Sequence, residues 1–218
     1  MPARNPPRRS AAATGPLSER LVRAVDELLD EDGLVGLSLR EVARRAGVTH
    51  GAPLRHYASF ATLLSEVAAR GFRTLADAVD EAAAAVPAGA GPTARLAAGA
   101  RAYLDCAMKS RGRFALMFRP ELLDPRHEVF ARESRNAFEG LVRLVRAAQD
   151  AGFRTDADTR RLAGSLWASM HGLASLWVHG AYTGPVPGVS LDDAMTDLIA
   201  LVLGTAESGA FQRTRRRA

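Results

Sequence analysis

Several side chains in this sequence are of types that bind metals, yet their spacing argues against a shared site. His171 and His179 lie eight residues apart on one predicted helix. Helical rise separates them by about 12 Å, which is too far for one metal ion to bind both. Two further pairs lack the additional ligands that a metal site requires and are typical of solvated or capping residues: His127-Glu128 and Asp192-Asp193. The sequence therefore predicts no metal site.

Nucleophilic catalysis has no better support. Cys106 has Asp105 beside it in sequence and no evident base, which favours a buried, inert thiol. The sequence contains no P-loop, G-x-G-x-x-G, G-x-S-x-G or H-E-x-x-H motif. We therefore expect no catalytic residue, no cofactor and no enzymatic activity.

Side chains that can donate hydrogen bonds to a binding partner cluster between positions 49 and 56. Thr49, His50, Arg55 and His56 lie on or next to a short predicted helix, which begins with small residues that let its backbone approach another surface. Donors on the first turns of a short helix match the way a recognition helix reads DNA. An ordinary surface hairpin of two helices is the alternative.

The elements that must position these donors form a helix-turn-helix. Ser38 and Glu41 make an S-x-x-E capping box, and apolar residues recur at helical spacing up to Ala46. Gly47 supplies the left-handed residue that ends this helix, and Thr49 is a suitable N-cap for the next, His50 to Tyr57. Further helices are predicted at 17–32, 59–86, 93–109, 125–151, 157–182 and 191–207, with no convincing strand. The link at 34–37 carries three apolar residues that we expect in the core.

The segment G-V-T-H-G-A-P-L-R-H-Y-A-S-F-A-T-L-L, residues 47–64, resembles the DNA-binding motif of the tetracycline-repressor (TetR) family. The family pattern runs roughly G-V-S-x-G-x-L-Y-x-H-F-x-S-K-E-x-L-L. Leu54 and Phe60 replace the Tyr and Lys that usually contact phosphate, which puts the usual hold on the DNA backbone in doubt. The resemblance implies phosphate contacts from Arg40, Thr49, His56 and Ser59 and base contacts from His50, Gly51, Ala52 and Arg55.

The C-terminal half carries a second resemblance. W-x-x-x-H-G at 167–172, with R-F-A-L-M-F upstream, is similar to the TetR subgroup that bears a WHG-type C-terminal domain. This implies an apolar effector pocket, and our candidate ligand-binding residues are Tyr103, Phe114, Met117, Phe118, Phe138, Trp167, Met170, His171 and Trp177. Aromatic and Met residues at helical spacing are equally typical of plain core. The family also implies a homodimer through the last two long helices.

Composition sets the remaining bounds. The chain has 218 residues, of which 47% are hydrophobic, and a net charge of +5 that suits a polyanionic partner. Only Lys109 among the 29 basic residues is lysine, so genomic base composition is another source of this charge. A single cysteine, no signal peptide and no apolar run of membrane-spanning length predict a cytoplasmic protein with no membrane partner.

These observations predict an all-α protein with an N-terminal three-helix DNA-binding domain and a C-terminal helical domain for ligand binding and dimerisation. The expected boundaries are a disordered basic arm at 1–16, the helix-turn-helix domain at 17–63, the second domain at 64–208 and a basic tail at 209–218. The expected function is a ligand-responsive regulator, a repressor that binds pseudo-palindromic double-stranded DNA as a dimer and is released by an apolar small molecule. A helical small-molecule-binding or enzymatic bundle without sequence-specific DNA binding is the alternative.

Overall fold

The computed structural model describes residues 15–91 and 93–204, and the regular structure in this part of the chain is helical. The all-α prediction is therefore confirmed. In chain order the helices are α1 (Leu17–Asp32), α2 (Leu39–Arg45), α3 (Ala52–His56), α4 (Phe60–Ala84), α5 (Ala94–Lys109), α6 (Arg111–Met117), α7 (Glu128–Asp150), α8 (Thr159–Val178) and α9 (Leu191–Leu203). A short 3-10 helix, Pro120–Leu122, precedes α7.

The chain forms two compact units. The first contains the described residues up to Phe72 together with Ser110–Glu133. Its core is made by fully buried apolar side chains from α1, α2, α4 and α6: Leu21, Val25, Leu28, Val42, Leu63, Val67 and Leu116. The buried positions of α1 recur at the period of a helix, so one side of α1 faces this core.

The second unit contains Arg73–Lys109 and the described residues from Ser134 onward. Helices α5, α7, α8 and α9, with Phe153 from the segment between α7 and α8, supply a cluster of buried residues: Leu96, Val142, Val145, Ala148, Phe153, Leu162, Ala163, Leu166 and Leu203. Gly99 of α5 allows a close approach, because a Cβ there would lie 3.2 Å from Val79 and 3.3 Å from Leu144.

The division between the two units differs from the boundary expected at residue 63. It falls after Phe72, and α6 belongs to the first unit together with the N-terminal helices. Gly112 of α6 lies against the backbone of α1, where an added Cβ would be 2.2 Å from the Leu29 carbonyl oxygen. Next to it, Arg113 forms an ion pair with Asp26 at 2.6 Å. The expected arm at 1–16 lies outside the described residues except for Gly15 and Pro16, and the tail at 209–218 lies wholly outside them.

Some local expectations were wrong. The recognition helix begins at Ala52 rather than His50, and α8 runs from Thr159 to Val178 rather than from 157 to 182. Asp158 caps α8 by accepting a bond from the Arg161 amide, which sets its start. In the link before α2, Val35 is 99% exposed, so not all of its apolar residues enter the core.

Candidate nucleic-acid interface

The turn between α2 and α3 is formed by the residues from which it was predicted. The Ser38 hydroxyl accepts a bond from the Glu41 amide at 3.3 Å, while the Glu41 carboxylate pairs with Arg44 instead of completing the capping box. Gly47 has a φ of 67°, which favours glycine, and the next amide, that of Val48, bonds back to the Ala43 carbonyl at 3.0 Å. This arrangement ends α2 and turns the chain towards α3.

Thr49 does not cap α3 as predicted. Its carbonyl oxygen, rather than its hydroxyl, accepts a bond from the Ala52 amide at 3.0 Å, and the N-cap residue of α3 is Gly51. Thr49, His50 and Gly51 therefore lie in the turn, and all three residues are exposed. Pro53 enters the core and fixes the inner side of α3.

Every residue predicted to contact DNA is accessible. Six are exposed and two, Ala52 and Ser59, are half-buried; the exposed six are Arg40, Thr49, His50, Gly51, Arg55 and His56. Within residues 15–91 and 93–204, the guanidinium groups of Arg40 and Arg55 form neither an ion pair nor a hydrogen bond. Their charges are thus available to an anionic partner.

Neighbouring arginines are bound to acceptors of the protein itself. Arg45 of α2 pairs with Glu31 at 2.6 Å and Glu27 at 3.5 Å, both on α1, and Arg20 of α1 donates to the Ala46 carbonyl at 2.6 Å. Arg44 is held by Glu41. The contacts of Arg45 and Arg20 attach α2 to α1, while Arg40 and Arg55 form no ion pair within the described residues. Arg20 was missed in the sequence, because a contact over 26 positions leaves no periodic pattern.

The two departures from the family pattern have different surroundings. Leu54 is 49% exposed, so its apolar side chain faces solvent next to Arg55. Phe60, the first residue of α4, is half-buried. Neither side chain can donate a hydrogen bond to a phosphate.

The predicted ligand residues do not form one cluster within either unit. Phe114, Met117 and Phe118 belong to the first unit, where Phe118 packs on Phe114 and Phe72 with ring centroids 5.1 and 5.4 Å apart. The other six belong to the second unit: Tyr103, Phe138, Trp167, Met170, His171 and Trp177.

In the second unit, Tyr103 of α5 binds the W-x-x-x-H motif of α8. The Tyr103 hydroxyl lies 2.9 Å from Nδ1 of His171, and Trp167 is its other hydrogen-bond partner. Burial raises the pKa of Tyr103 and lowers the pKa of His171, so the neutral forms of both side chains are favoured. The Phe138 ring packs edge-on against Trp167 at 5.9 Å.

An apolar crevice of about 20 Å³ lies among α5, α7, α8 and α9, in the second unit. Its walls are Leu96, Ala100, Leu141, Leu166, Met170, Leu198, Ile199, Val202 and Leu203. Of the predicted ligand residues, Met170 alone is among these walls. Small-molecule pockets measure roughly 300–1,000 Å³, so this crevice is too small in its present form to hold a typical effector.

The side chains considered for catalysis stay apart. Burial, reinforced by Asp105, raises the pKa of the half-buried Cys106 thiol, which makes it a poor nucleophile. In the described part of the chain, no three His, Cys, Asp or Glu side chains come close enough to hold a metal ion. In the same part, none of the helices combines the length and apolar character needed to cross a bilayer.

An all-helical chain with an exposed helix-turn-helix near its N-terminus has the architecture of a DNA-binding regulator. Residues 96–202 match the family model described as "Tetracyclin repressor-like, C-terminal domain". None of the curated proteins matches the sequence. The match to the family model includes the W-x-x-x-H-G motif at 167–172.

Solved structures agree with this class. A protein of unknown function from Rhodococcus sp. RHA1 is 31% identical, with a TM-score of 0.76 over 88% of this chain and 96% of its own. The TetR-family regulator PfmR from Thermus thermophilus is 17% identical, with a TM-score of 0.65 over 85% and 97%. A tetR-family regulatory protein from Rhodococcus RHA1 is 18% identical, with a TM-score of 0.67 over 88% and 97%. The chain belongs to the TetR family of transcriptional regulators, which bind DNA and dimerise and are not enzymes.

Proposed function

We propose that this protein is a repressor that binds a pseudo-palindromic operator through α2 and α3 and leaves it when a small molecule binds the second unit. The availability of Arg40 and Arg55 carries the proposal. Both side chains are exposed on the helix-turn-helix and form no ion pair within the described residues, whereas Arg44 and Arg45 are paired with carboxylates. Free arginines on a recognition element are the groups that contact phosphates and guanine edges.

The residues of the helix-turn-helix divide into two roles in this proposal. Arg40, Thr49, His56 and the start of α4 at Ser59 contact phosphates, which place the protein on the duplex. The base edges are contacted by the exposed turn and the outer side of α3: His50, Gly51, Ala52 and Arg55. The small residues Gly51 and Ala52 let the backbone approach the groove.

Dimerisation places two such elements on one operator. Exposed large apolar side chains occur on both C-terminal helices: Leu201 of α9 is 75% exposed, and Leu176 and Trp167 of α8 are 48% and 39% exposed. Burying them against the same helices of a second copy removes apolar surface from water at about 25 cal/mol per Å². A two-fold dimer then spaces its recognition helices by about 34–36 Å or a multiple of that distance.

The effector site is proposed to lie among the helices of the second unit, next to Tyr103, Trp167, Met170 and His171. A bound apolar molecule must enlarge the small crevice described above, so it favours a conformation with a different packing of α5, α8 and α9. By linkage, it weakens operator binding only as far as it binds the free protein better than the DNA-bound one. In this proposal the protein acts in the cytoplasm, without catalysis or cofactor.

Fluorescence anisotropy with labelled DNA from upstream of the protein's own gene tests this function. At physiological salt and with excess unrelated competitor DNA, we expect saturable nanomolar binding. The same titration then identifies effectors as compounds that lower the anisotropy. Binding that the competitor abolishes would show charge-driven contact alone and would favour the small-molecule-binding bundle without sequence-specific DNA binding.

The dimer interface has its own test. Leu201→Asp places a charge on the most exposed apolar residue of α9, and we expect light scattering to give the monomer mass at concentrations where the wild type is dimeric. Leu201→Met keeps the apolar surface and is the matched control. A dimeric Leu201→Asp variant would place the interface elsewhere.

A further inference from the structure

A chain of hydrogen bonds joins the start of α4 to the loop that follows α6. Here we call Ser59, Thr62 and Asp124 the hydroxyl chain. The Ser59 and Thr62 hydroxyl oxygens are 2.9 Å apart, and the Thr62 hydroxyl lies 3.2 Å from Oδ2 of Asp124. All three residues belong to the first unit. The 62 positions between Thr62 and Asp124 explain why no sequence pattern indicated this link.

Asp124 is held firmly on α4. Its backbone amide donates to the Ser65 hydroxyl at 2.8 Å, and Ser65 is completely buried. Its second carboxylate oxygen accepts a bond from the Arg126 amide at 3.0 Å. That backbone bond lowers the pKa of Asp124, so the carboxylate is charged at neutral pH.

The charge of Asp124 determines which way the protons of the chain point. A carboxylate can only accept hydrogen bonds, so Thr62 donates its single hydroxyl proton to Asp124. In the contact between the two hydroxyls, Thr62 then has no proton left and must accept, which makes Ser59 the donor. The Ser59 oxygen also accepts a bond from the Thr62 amide at 3.0 Å. Ser59 therefore has lone pairs but no proton to offer to an outside group.

We propose that Asp124 is a positioning residue that withholds the Ser59 proton from DNA and so weakens the phosphate contact at the start of α4. This inference rests on the proposed DNA contact of Ser59. It makes that contact unfavourable for DNA binding while the hydroxyl chain is intact. A phosphate near Ser59 meets oxygen lone pairs while the hydroxyl chain is intact. Once the link to Asp124 is broken, the Ser59 proton is free to be donated to the phosphate.

Thr62→Val tests the proposal without changing the charge of the protein. Valine has the shape of threonine and no hydroxyl, so it leaves Ser59 without its acceptor. The probe is the duplex that the wild type selects from a randomised library, measured by anisotropy at physiological salt. A hydrogen bond to a charged group is strong enough that we expect Thr62→Val to bind this duplex about three- to tenfold more tightly.

Two companion variants separate this effect from a change in folding. Thr62→Ser restores the hydroxyl and should bind with wild-type affinity. In the Ser59→Ala background, Thr62→Val should produce no gain, because no proton remains to be released. Asp124→Asn should also tighten binding, since its amide donates to Thr62 and reverses the chain; this variant removes a charge and so is compared at two salt concentrations.

The outcomes are distinct. A Thr62→Val protein that binds no more tightly than the wild type, or a gain that persists without Ser59, overturns the inference and leaves the proposed function standing. A wild type that selects no duplex from the library overturns both. Thermal unfolding of each variant establishes that the compared proteins are folded.

Discussion

The Tyr103 hydroxyl lies 2.9 Å from Nδ1 of His171, and this hydrogen bond joins α5 to the W-x-x-x-H-G motif of α8. Burial favours the neutral imidazole, whose tautomer sets whether Nδ1 accepts the phenolic proton or donates to the phenolic oxygen. Protonation places a charge on this half-buried ring, which burial opposes. The stability of the second unit is thereby linked to pH.

His171 should make the free energy of unfolding depend on pH. Its pKa is lowered in the folded state relative to about 6.5 when unfolded, so its contribution is complete above pH 6.5 and is lost as the pH falls through the folded pKa. We expect urea unfolding to show a steeper loss of stability below pH 6.5 in the wild type than in His171→Gln. Parallel pH profiles of the two proteins would contradict this.

Arg55→Ala should weaken operator binding by about 1–3 kcal/mol. If Arg55 contacts a guanine, the preference at that base pair relaxes; if it contacts a phosphate, affinity falls uniformly and the salt dependence becomes shallower. Arg160→Ala is the matched control, since it removes the same charge from α8, where Arg160 pairs with Glu139 at 2.7 Å. Anisotropy titrations on the operator and on single-base variants measure both effects, and an unchanged Arg55→Ala would remove this residue from the interface.

Leu54→Tyr and Phe60→Lys should each tighten DNA binding. Tyrosine adds a hydroxyl donor at an exposed position of α3, and lysine adds a cation at the first residue of α4. Only the lysine neutralises a phosphate, so it should steepen the slope of log affinity against log salt by about 0.9, while the tyrosine should leave the slope unchanged. If neither variant binds more tightly, the phosphate contacts of this protein are made elsewhere.

Gly112→Ala should destabilise the first unit. The new Cβ would meet the Leu29 carbonyl oxygen at 2.2 Å, and backbone atoms on both sides must move apart, which typically costs about 1–3 kcal/mol. The control is Gly140→Ala in α7, where the nearest atom is at 3.5 Å and alanine should stabilise the helix by about 0.5–1 kcal/mol. Denaturant midpoints of the two variants should move in opposite directions.

Local chemistry explains why much of the helix-turn-helix was predictable. Ser38 and Ser59 act as N-caps, and Gly47 adopts the left-handed conformation, as their types and positions indicated. Each of these roles depends on atoms within four residues along the chain. The same reasoning failed at Thr49, because Gly51 and Pro53 set the start of α3 later in the chain.

Contacts between distant segments were not predictable. Neither the bond from Arg20 to Ala46 nor the bond from Thr62 to Asp124 has a sequence pattern, since both depend on how helices pack. The proposed effector residues belong to both units, and Phe118 packs on Phe114 in the first. Their role in an effector pocket stays a prediction, because aromatic side chains at helical spacing are equally typical of plain core.

The exposure of Val35 makes this position a point of attachment for a spectroscopic label. Its side chain is 99% exposed, so a cysteine introduced there would have a normal, accessible thiol. The competing native thiol is that of Cys106, which is half-buried with a raised pKa, so reagents that need a thiolate would modify position 35 first. Spin labels on both copies of a dimer would then report the distance between the two DNA-binding ends. Effectors could be ranked by the change in this distance that they cause.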